Sequence, residues 1–358
     1  MTMSFCSNRL QRYAFSCKIP NLFPKRYKIS GASLALMLIL STFAPMKTII
    51  LSEDVGLSEP SVATIGVFDG VHRGHQLVIG RVLDTARQAG MASVVITFDR
   101  SPREVLDSSF CPQMLTTLAE KEAIIAELGV DYLVVLPFTK EMAALSARVF
   151  MQQVLRDRLC VKTLFTGYDN RFGHNRKEGF DDYVGYGQEM GMQVLRGDVE
   201  LMTDGTEAIS SSVIRHLLVE EGQVEQVSRY LTRSYTLKGR VMPGEHIGHQ
   251  LGYPTANLEL EDVRKLIPAS GVYAVWAQLE DEQQLRAAMM NIGSRPTFDG
   301  HKQTLEVNIL DFNGDLYGQT IRIMFVARLR EERRFDSPEA LVAQLETDKE
   351  QVKQLLLK

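Results

Sequence analysis

His72 and His75, with two residues between them, are the residues whose types and spacing most directly indicate chemistry. They follow a glycine turn at Gly70, and Gly74 lies between them, where it permits close approach of the backbone to a ligand. Two imidazoles placed in this way can donate to phosphate oxygens while negative charge builds up on a pentacovalent phosphorus. The pair therefore predicts phosphorus chemistry, although such a string also occurs as a metal pair or as two surface histidines.

The elements around the pair favour the phosphate interpretation. Val62 to Phe68 is a short β-branched run ending at Gly70, as in a buried parallel strand, and ligands of open α/β sheets bind at the carboxyl ends of strands. From His75 onward, apolar residues recur at helical spacing, so both histidines fall at a helix N-terminus, where phosphate binds. Further helices and strands then alternate, which predicts a doubly wound parallel sheet: helices 75–88, 116–128 and 146–159, and strands 93–98, 132–138 and 162–166.

Two more polar segments fall near the predicted rim of this sheet. GYDNRFG (167–173) follows the strand 162–166, and ISSSVIR (209–215) runs into another helical pattern. Hydroxyls and Arg215 at a helix N-terminus suit a triphosphate. The alternatives are a simple turn for the first segment and N-capping serines for the second.

Beyond a linker at about 222–233, the pattern changes to short strands without long helices between them, which predicts an antiparallel barrel or sandwich. A helical tail at 338–356 is expected to pack over it. In 239–260, spaced glycines indicate a backbone wrapped around a ligand, and Thr255 with Asn257 offers oxygen ligands for Mg²⁺ and phosphate. An ordinary turn containing proline is the alternative there. In LEVNIL (305–310), Glu306 and Asn308 share the face opposite Leu305, Val307 and Ile309.

GVFDGVHRGHQ (66–76) resembles G-x-F-D-G-x-H-x-G-H, the signature of the adenylyltransferase module in bacterial bifunctional riboflavin kinase/FAD synthetases. GYDNRFG is similar to that family's G-x-D-x-R-F-G loop, and ISSSVIR to its I-S-S-T-x-I-R motif, with Ser212 in place of Thr. The second half resembles the flavokinase pattern G-x-x-x-G-x-x-L-G-x-P-T-A-N and continues through NIGSRPTF (291–298), LEVNILDF (305–312) and LYG (316–318). The resemblance covers roughly residues 47 to 356.

The resemblance implies a nucleotidyltransferase-like α/β domain at 47–222, a linker at 223–234 and a riboflavin kinase barrel with a C-terminal helix at 235–358. It implies phosphorylation of riboflavin to FMN and adenylylation of FMN to FAD, with ATP as co-substrate and Mg²⁺ as the metal. The implied catalytic residues are His72, His75 and Glu306, the last as general base. The implied metal ligands are Thr255 and Asn257. The implied nucleotide and flavin contacts are Gly66, Phe68, Asp69, Gly70, Gly167, Asp169, Arg171, Ser210, Ser211, Ser212, Arg215, Gly244, Gly248, Gly252, Pro254 and Asn291.

Some positions depart from the family pattern. Val67 stands where the family usually has Asn, Arg100 replaces the first proline of a strand-end motif, and His249 with Gln250 occupies a kinase turn where arginine is common. These changes bear on substrate affinity more than on reaction type. Two other functions remain open: a nucleotidyltransferase acting on another phosphorylated acceptor, and a flavin-binding regulator with weakened catalysis.

Composition sets broader bounds. The net charge of −4 and the absence of a basic block from the bulk of the chain make nucleic acid an unexpected partner. The four cysteines show no CxxC spacing, so neither a zinc site nor a disulfide framework is indicated. We expect a cytoplasmic enzyme that acts on riboflavin, FMN and ATP and has no stable membrane association; the sequence gives no indication of its oligomeric state.

Residues 1–46 differ from the rest, because they carry six basic and no acidic residues while the remainder carries a net charge of −10. The apolar run 32–40 with its basic flank resembles a signal peptide or a short anchor, yet it is shorter than the about 20 residues of a membrane span. The other interpretation, which we favour, is a native start at Met46 with upstream sequence translated from a wrong start.

Overall fold

A computed structural model describes residues 45–357, except 53, 108, 110, 169, 175–176, 199, 203–204, 206–207, 244–252, 281 and 298–299, with backbone alone at 294–297 and 300–302. The extension at 1–44 therefore lies outside the described residues. Within the described part of the chain, no helix is long and apolar enough to cross a membrane.

Six parallel strands form the sheet of the N-terminal half, in the order β1-β4-β3-β2-β5-β6. The central strands β2 and β3 are almost wholly buried, which explains their continuous apolar sequence. The strands are β1 Lys47–Ile50, β2 Ser61–Ile65, β3 Ala92–Phe98, β4 Tyr132–Leu136, β5 Val161–Thr166 and β6 Gln193–Arg196. The doubly wound parallel sheet predicted from the alternating pattern is confirmed.

Helices cover both faces of this sheet, and adjacent residues of β3 show the alternation. Val95 packs in the cluster that contains Ile79 and Leu83, whereas Val94 packs in the cluster that contains Met151. The helices of this half are α1 Arg73–Ala89, α2 Pro102–Leu106, α3 Leu118–Glu127, α4 Lys140–Ala143, α5 Ala147–Phe150, α6 Phe180–Met190, α7 Ser211–Val219 and α8 Val224–Leu231. The helix predicted at 146–159 is α5 followed by a π-helical segment, Met151–Arg156.

The segment at 222–233, interpreted above as a linker, contains helix α8. Its residues Val224, Val227, Tyr230 and Leu231 are buried. They belong to a core cluster that also includes residues of α7 and of the second half, so the hydrophobic core continues across the connection. Ala44–Lys358 accordingly form one compact unit, and the domain boundary near residue 222 stays a prediction.

The second half is a closed antiparallel barrel in the order β10-β11-β8-β7-β12-β9. Of the two architectures predicted for this half, a barrel or a sandwich, the structure confirms the barrel. The strands are β7 Thr236–Met242, β8 Ala256–Leu260, β9 Gly271–Leu279, β10 Leu285–Thr297, β11 Gly300–Ile309 and β12 Thr320–Arg330. The C-terminal helix α9 (Pro338–Leu356) packs outside the barrel through Val352, and the ion pair between Arg330 and buried Asp348 anchors it to β12.

Candidate active sites

The first candidate site begins with the histidine turn, residues 66–72, which joins β2 to α1. Phe68 and Val71 have φ angles of 49° and 39° on either side of Gly70, whose φ is 81°. Positive φ is uncommon for a non-glycine residue and an outlier for a β-branched one such as Val71. Strained backbone of this kind persists only where its surroundings fix it, and it concentrates at functional sites.

Asp69 is one of the groups that fix the turn. Its carboxylate, 5% exposed, accepts hydrogen bonds from the backbone N–H groups of Leu115 (3.0 Å) and Thr116 (3.1 Å). The hydroxyl of Thr116 in turn accepts from the N–H of Gly70 at 2.9 Å. Arg215 Nη2 lies 2.6 Å from Asp69 Oδ2. Asp69 thus holds a loop and a guanidinium around the turn, which the resemblance did not specify.

Two cationic side chains, Lys121 and Arg233, hold the turn by hydrogen bonds to its backbone carbonyls. Lys121 Nζ donates to the Val67 carbonyl at 2.6 Å and to Thr97 Oγ1 at 3.2 Å, and Arg233 Nη2 donates to the Gly70 carbonyl at 2.6 Å. Burial lowers the pKa of Lys121 to about 8, although the nearby Asp69 acts in the opposite direction. These charge-assisted hydrogen bonds to the Val67 and Gly70 carbonyls therefore help to hold the strained backbone in place.

The two histidines lie at the start of α1, with His72 as its N-cap residue. Their rings stack with centroids 3.7 Å apart, and the ring of Phe68 meets His75 edge-on at 5.1 Å. A Cβ at Gly74 would stand 3.3 Å from the His72 ring, so glycine permits this stacking. Burial, and then the charges of His72 and Lys121, lower the pKa of His75 well below its usual value. At neutral pH His75 is therefore a neutral imidazole with a single N–H donor.

A cavity of about 880 Å³ opens beside this turn at the carboxyl ends of the strands. Residues of the motifs identified in the sequence line it, namely Gly66, Phe68, Asp69, His75, Ser211 and Arg215, together with Gly167 and Asn170 of the GYDNRFG loop. The Asn170 amide donates to the Ile65 carbonyl at 2.5 Å, which ties that loop to the end of β2. Three separate sequence motifs therefore meet at one cavity.

The remaining predicted residues of this half have other placements. Ser210 caps α7 by accepting from the Val213 N–H, whereas Ser211 donates its hydroxyl hydrogen to the Asp69 carbonyl at 2.9 Å. Ser212 and Arg171 are exposed. Among the described residues, His72, Gly70, Arg171, Ser210 and Ser212 stand outside the lining of the cavity. Asp169 lies outside the described residues.

The second candidate site is a cavity of about 330 Å³ in the barrel half. Pro254 and Thr255 line it, together with Phe312 and Tyr317. The amide of Asn308 donates to the Pro254 carbonyl at 2.8 Å and so fixes the turn that leads into β8. The predicted glycine contacts Gly244, Gly248 and Gly252 lie outside the described residues.

Three predicted residues of this half form one row across neighbouring strands. Glu306 of β11 stands opposite Asn257 of β8 and opposite Asn291 of β10. Directly opposed residues project to the same face of a sheet. Leu305 and Val307, on either side of Glu306, are buried in the barrel core, so the row faces outward and is half-buried. The alternation predicted for this strand is confirmed, and the row brings the proposed base next to a proposed metal ligand.

Comparison with known proteins agrees with both halves. A family model described as FAD synthetase matches residues 55–213, and one described as riboflavin kinase matches residues 231–356. The bifunctional riboflavin kinase/FMN adenylyltransferase of Escherichia coli strain K12 is 36% identical over 290 residues, which cover 81% of this chain and 91% of the relative. The protein of that description from Pseudomonas fluorescens is 39% identical over 289 residues, 80% of this chain and 90% of the relative.

The chain belongs to the bifunctional riboflavin kinase/FMN adenylyltransferase family. A solved structure described as a macrolide-efflux protein from Streptococcus pneumoniae has this fold, with a TM-score of 0.78 and 33% identity over 87% of this chain and 99% of that one.

Riboflavin kinases and FAD synthetases use ATP, generally with a divalent metal. The described residues contain no group of three or more His, Cys, Asp or Glu side chains that could hold a metal. Thr255 and Asn257 offer neutral oxygens, and Glu306 opposite Asn257 adds a carboxylate. This set suits a cation that keeps water and phosphate ligands, as Mg²⁺ does, and would leave the nucleotide to complete its coordination.

Sequence reasoning missed Lys121 and Arg233, the two cationic side chains that hydrogen-bond to the histidine turn. Lys121 sits in an ordinary amphipathic helix, and its sequence neighbours carry no motif. Only its place on the core-facing side of α3 could have indicated that Lys121 is buried: it is 7% exposed, and the same helix buries Ile125. A lysine at such a position is rarely buried without a partner.

Proposed function

We propose that this chain makes FAD in two steps, one in each half. In the barrel half, riboflavin and ATP would give FMN and ADP; in the N-terminal half, FMN and ATP would give FAD and pyrophosphate. The observation that carries the second assignment is the stacked histidine pair at the N-terminus of α1, with His72 buried and His75 facing a cavity that it shares with Ser211 and Arg215. That collection of donors suits a polyphosphate.

For adenylyl transfer, an oxygen of the FMN phosphate would attack the α-phosphorus of ATP and pyrophosphate would leave. His75 would donate its N–H to the phosphoryl oxygens, where charge accumulates, while His72 stacks on its ring and fixes its orientation. Arg215, oriented by the carboxylate of Asp69, would pair with a phosphate group. The site would act by positioning and charge stabilisation, without a covalent intermediate.

For phosphorylation of riboflavin, Glu306 would take the proton from the 5′-hydroxyl as that oxygen attacks the γ-phosphorus of ATP, and ADP would leave. Thr255 and Asn257 would hold Mg²⁺, and the bound cation would neutralise negative charge on the phosphates. Asn291, in the same row as Glu306, would orient the flavin or its hydroxyl. The half-buried position of the row leaves Glu306 within reach of a substrate.

We further propose that the enzyme acts in the cytoplasm, with riboflavin, FMN and ATP as its partners and without nucleic acid or a stable membrane contact. A nucleotidyltransferase for another phosphorylated acceptor would leave the barrel half without a role. A flavin-binding regulator would need neither the histidine pair nor Glu306. Both alternatives are therefore less well supported than the two-step synthesis.

Incubation of the purified chain with riboflavin, ATP and Mg²⁺ tests the proposal directly. Chromatography should show FMN first and FAD later, and both products should disappear when a chelator removes the metal. FMN without FAD would refute the assignment of the N-terminal half, and FAD from added FMN without any riboflavin phosphorylation would refute that of the barrel half.

A further inference from the structure

A short strip of backbone, residues 114–116, joins the two halves of the protein beside the histidine turn. The N–H of Met114 donates to the Arg264 carbonyl at 2.7 Å, and the N–H of Leu266 donates to the Met114 carbonyl at 3.0 Å. Met114 and Lys265 therefore form a parallel β-bridge. Leu266, which follows in the chain, lines the N-terminal cavity. The C-terminal half thus reaches the proposed adenylyl-transfer site.

The same strip supports that site from its other side. The N–H groups of Leu115 and Thr116 hold the carboxylate of Asp69, and Asp69 pairs with Arg215 at the cavity. Leu115 is completely buried. Any shift of the strip would therefore move the acceptor that orients the Arg215 guanidinium.

Lys265 is the charged group that locks the strip in place. Its ammonium donates to the Leu115 carbonyl at 2.7 Å and to Glu120 Oε2 at 2.5 Å, and the side chain is 5% exposed. Burial lowers the pKa of Lys265, and Glu120 opposes that shift. Glu120 also caps α3 through Thr117 and accepts from the hydroxyl of Thr236 at 3.2 Å. A buried ammonium with two such acceptors fixes both of them strongly.

We infer that Lys265, a residue of the kinase half, is a positioning residue for adenylyl transfer in the other half. The connection runs from Lys265 to the Leu115 carbonyl, through the strip to Asp69, and from Asp69 to Arg215. Lys265 itself would contact neither the substrate nor the reacting atoms. The inference rests on the proposed function, because it takes the N-terminal cavity as the place where FMN is adenylylated.

The test replaces Lys265 by methionine in the full chain, which removes the ammonium and keeps most of the stem. The kcat for FAD formation from FMN and Mg-ATP should fall about 10-fold, since small displacements of a positioned group have effects of this order or larger. Riboflavin phosphorylation by the same preparation should change less than about 2-fold and so reports that the barrel is folded. The matched control is Lys238→Met, which removes an exposed ion-paired lysine of the same half and should leave both reactions unchanged.

A double variant separates positioning from a general loss of stability. If Lys265 acts through Arg215, then Lys265→Met should cost less than about 2-fold in FAD formation when Arg215 is already alanine. Independent effects that multiply to the full factor in the double variant would overturn the inference. So would an unchanged kcat for FAD formation in the single variant.

A parent chain that forms no FAD from FMN refutes the proposed function itself, whereas an active parent with an equally active Lys265→Met variant refutes only the inference. Should Lys265→Met fail to fold, Glu120→Gln takes its place, because glutamine retains the helix cap while the ion pair is lost. FAD formation by this variant should fall about 3-fold, which corresponds to the free energy of a partly exposed ion pair. Full activity would overturn the inference.

Discussion

The two cavities differ in the charge that lies buried beside them. The N-terminal cavity lies beside Asp69 and Lys121, which are 5% and 7% exposed, and beside the stacked histidine pair, of which His72 is buried. The barrel cavity is lined by apolar and neutral polar residues, and Asp315, the charged residue in its described lining, is exposed. The first cavity therefore has buried charges that the fold holds in place, whereas the one charge in the described lining of the second is exposed.

This difference shows two ways of preparing for phosphate. Under the proposed function, buried hydrogen-bonded charges would hold the N-terminal site in place before a substrate binds, which is the condition for efficient electrostatic stabilisation. The proposed barrel site combines the neutral oxygens of Thr255 and Asn257 with the carboxylate of Glu306, so it would depend on a bound cation to offset the negative charge of the nucleotide. The first site should therefore be sensitive to small changes in geometry, and the second to loss of its base or its metal.

Replacing Glu306 by glutamine should have the largest effect. The change keeps size and shape but removes the proposed base, so FMN formation should fall about 10²- to 10⁴-fold while FAD formation from added FMN is nearly unchanged. Both rates are measured by chromatography of the flavins. Glu259→Gln, at an exposed position of β8, is the matched control and should leave both rates as they are. Undiminished riboflavin phosphorylation in the Glu306 variant would remove this residue from the reaction.

Replacing His75 by alanine should give the converse result. Loss of a donor aimed at the phosphoryl oxygens should lower FAD formation about 10²- to 10³-fold, and FMN should accumulate because the barrel site is untouched. Arg81→Ala, on the same helix and in an exposed ion pair, provides the control. Thermal unfolding of each variant distinguishes a folding defect from a catalytic one. Equal loss of both activities in a folded protein would contradict the separation of the two sites.

Replacing Gly74 by alanine tests the geometric sensitivity of the N-terminal site. The added Cβ would stand 3.3 Å from the His72 ring and displace it by a few tenths of an ångström, so we expect about a 10-fold loss of FAD formation. Gly80→Ala is a close control, because it lies on the same helix and its Cβ would meet nothing within 4 Å. Both changes should favour the helix by up to about 1 kcal/mol. Equal activity in the two variants would show that the stacking of the histidines is unimportant.

The charge on Lys121 gives the smallest expected effect. With a pKa of about 8, this side chain is a cation below that pH and becomes neutral as the pH rises through it. The loss of positive charge under the turn should lower FAD formation several-fold above pH 8, without a matching decline in riboflavin phosphorylation. Lys121→Arg keeps its charge at these pH values and should abolish the decline. A decline that survives in this variant would assign it to another group.

The sequence was sufficient for most of the strands and helices of the sheet, and for the motifs that meet at its rim. The strand 62–68 and the helix from His75 had local signals, namely a β-branched run and apolar residues at helical spacing. Glu306 was placed on the outer face of its strand by simple alternation, and the burial of Leu305 and Val307 confirms that placement.

What could not be predicted depends on contacts between residues far apart in the chain. Lys265 lies in a segment without a motif, and only the fold brings its ammonium to the Leu115 carbonyl. Asp69 was expected to contact a nucleotide or flavin, and the sequence held no indication that its oxygens would be shared between the strip at 114–116 and Arg215. Helix α8 carries a clear amphipathic pattern, with Val224, Val227, Tyr230 and Leu231 buried, so the sequence held a helical signal that the interpretation as a linker missed. The roles of the site residues stay predictions.

With the row of Asn257, Glu306 and Asn291 in the role proposed for it, riboflavin phosphorylation reports whether the strands of the barrel have paired correctly. These residues belong to three strands, and β8 and β11 are far apart along the chain. A one-residue slip of β11 would turn Glu306 into the apolar interior and Leu305 outward, since side chains alternate along a strand. Closure fixes β11 from both sides, so a partly paired barrel cannot present the row. Because such long-range pairing forms slowly, a newly made chain should acquire the ability to phosphorylate riboflavin abruptly, at the end of folding.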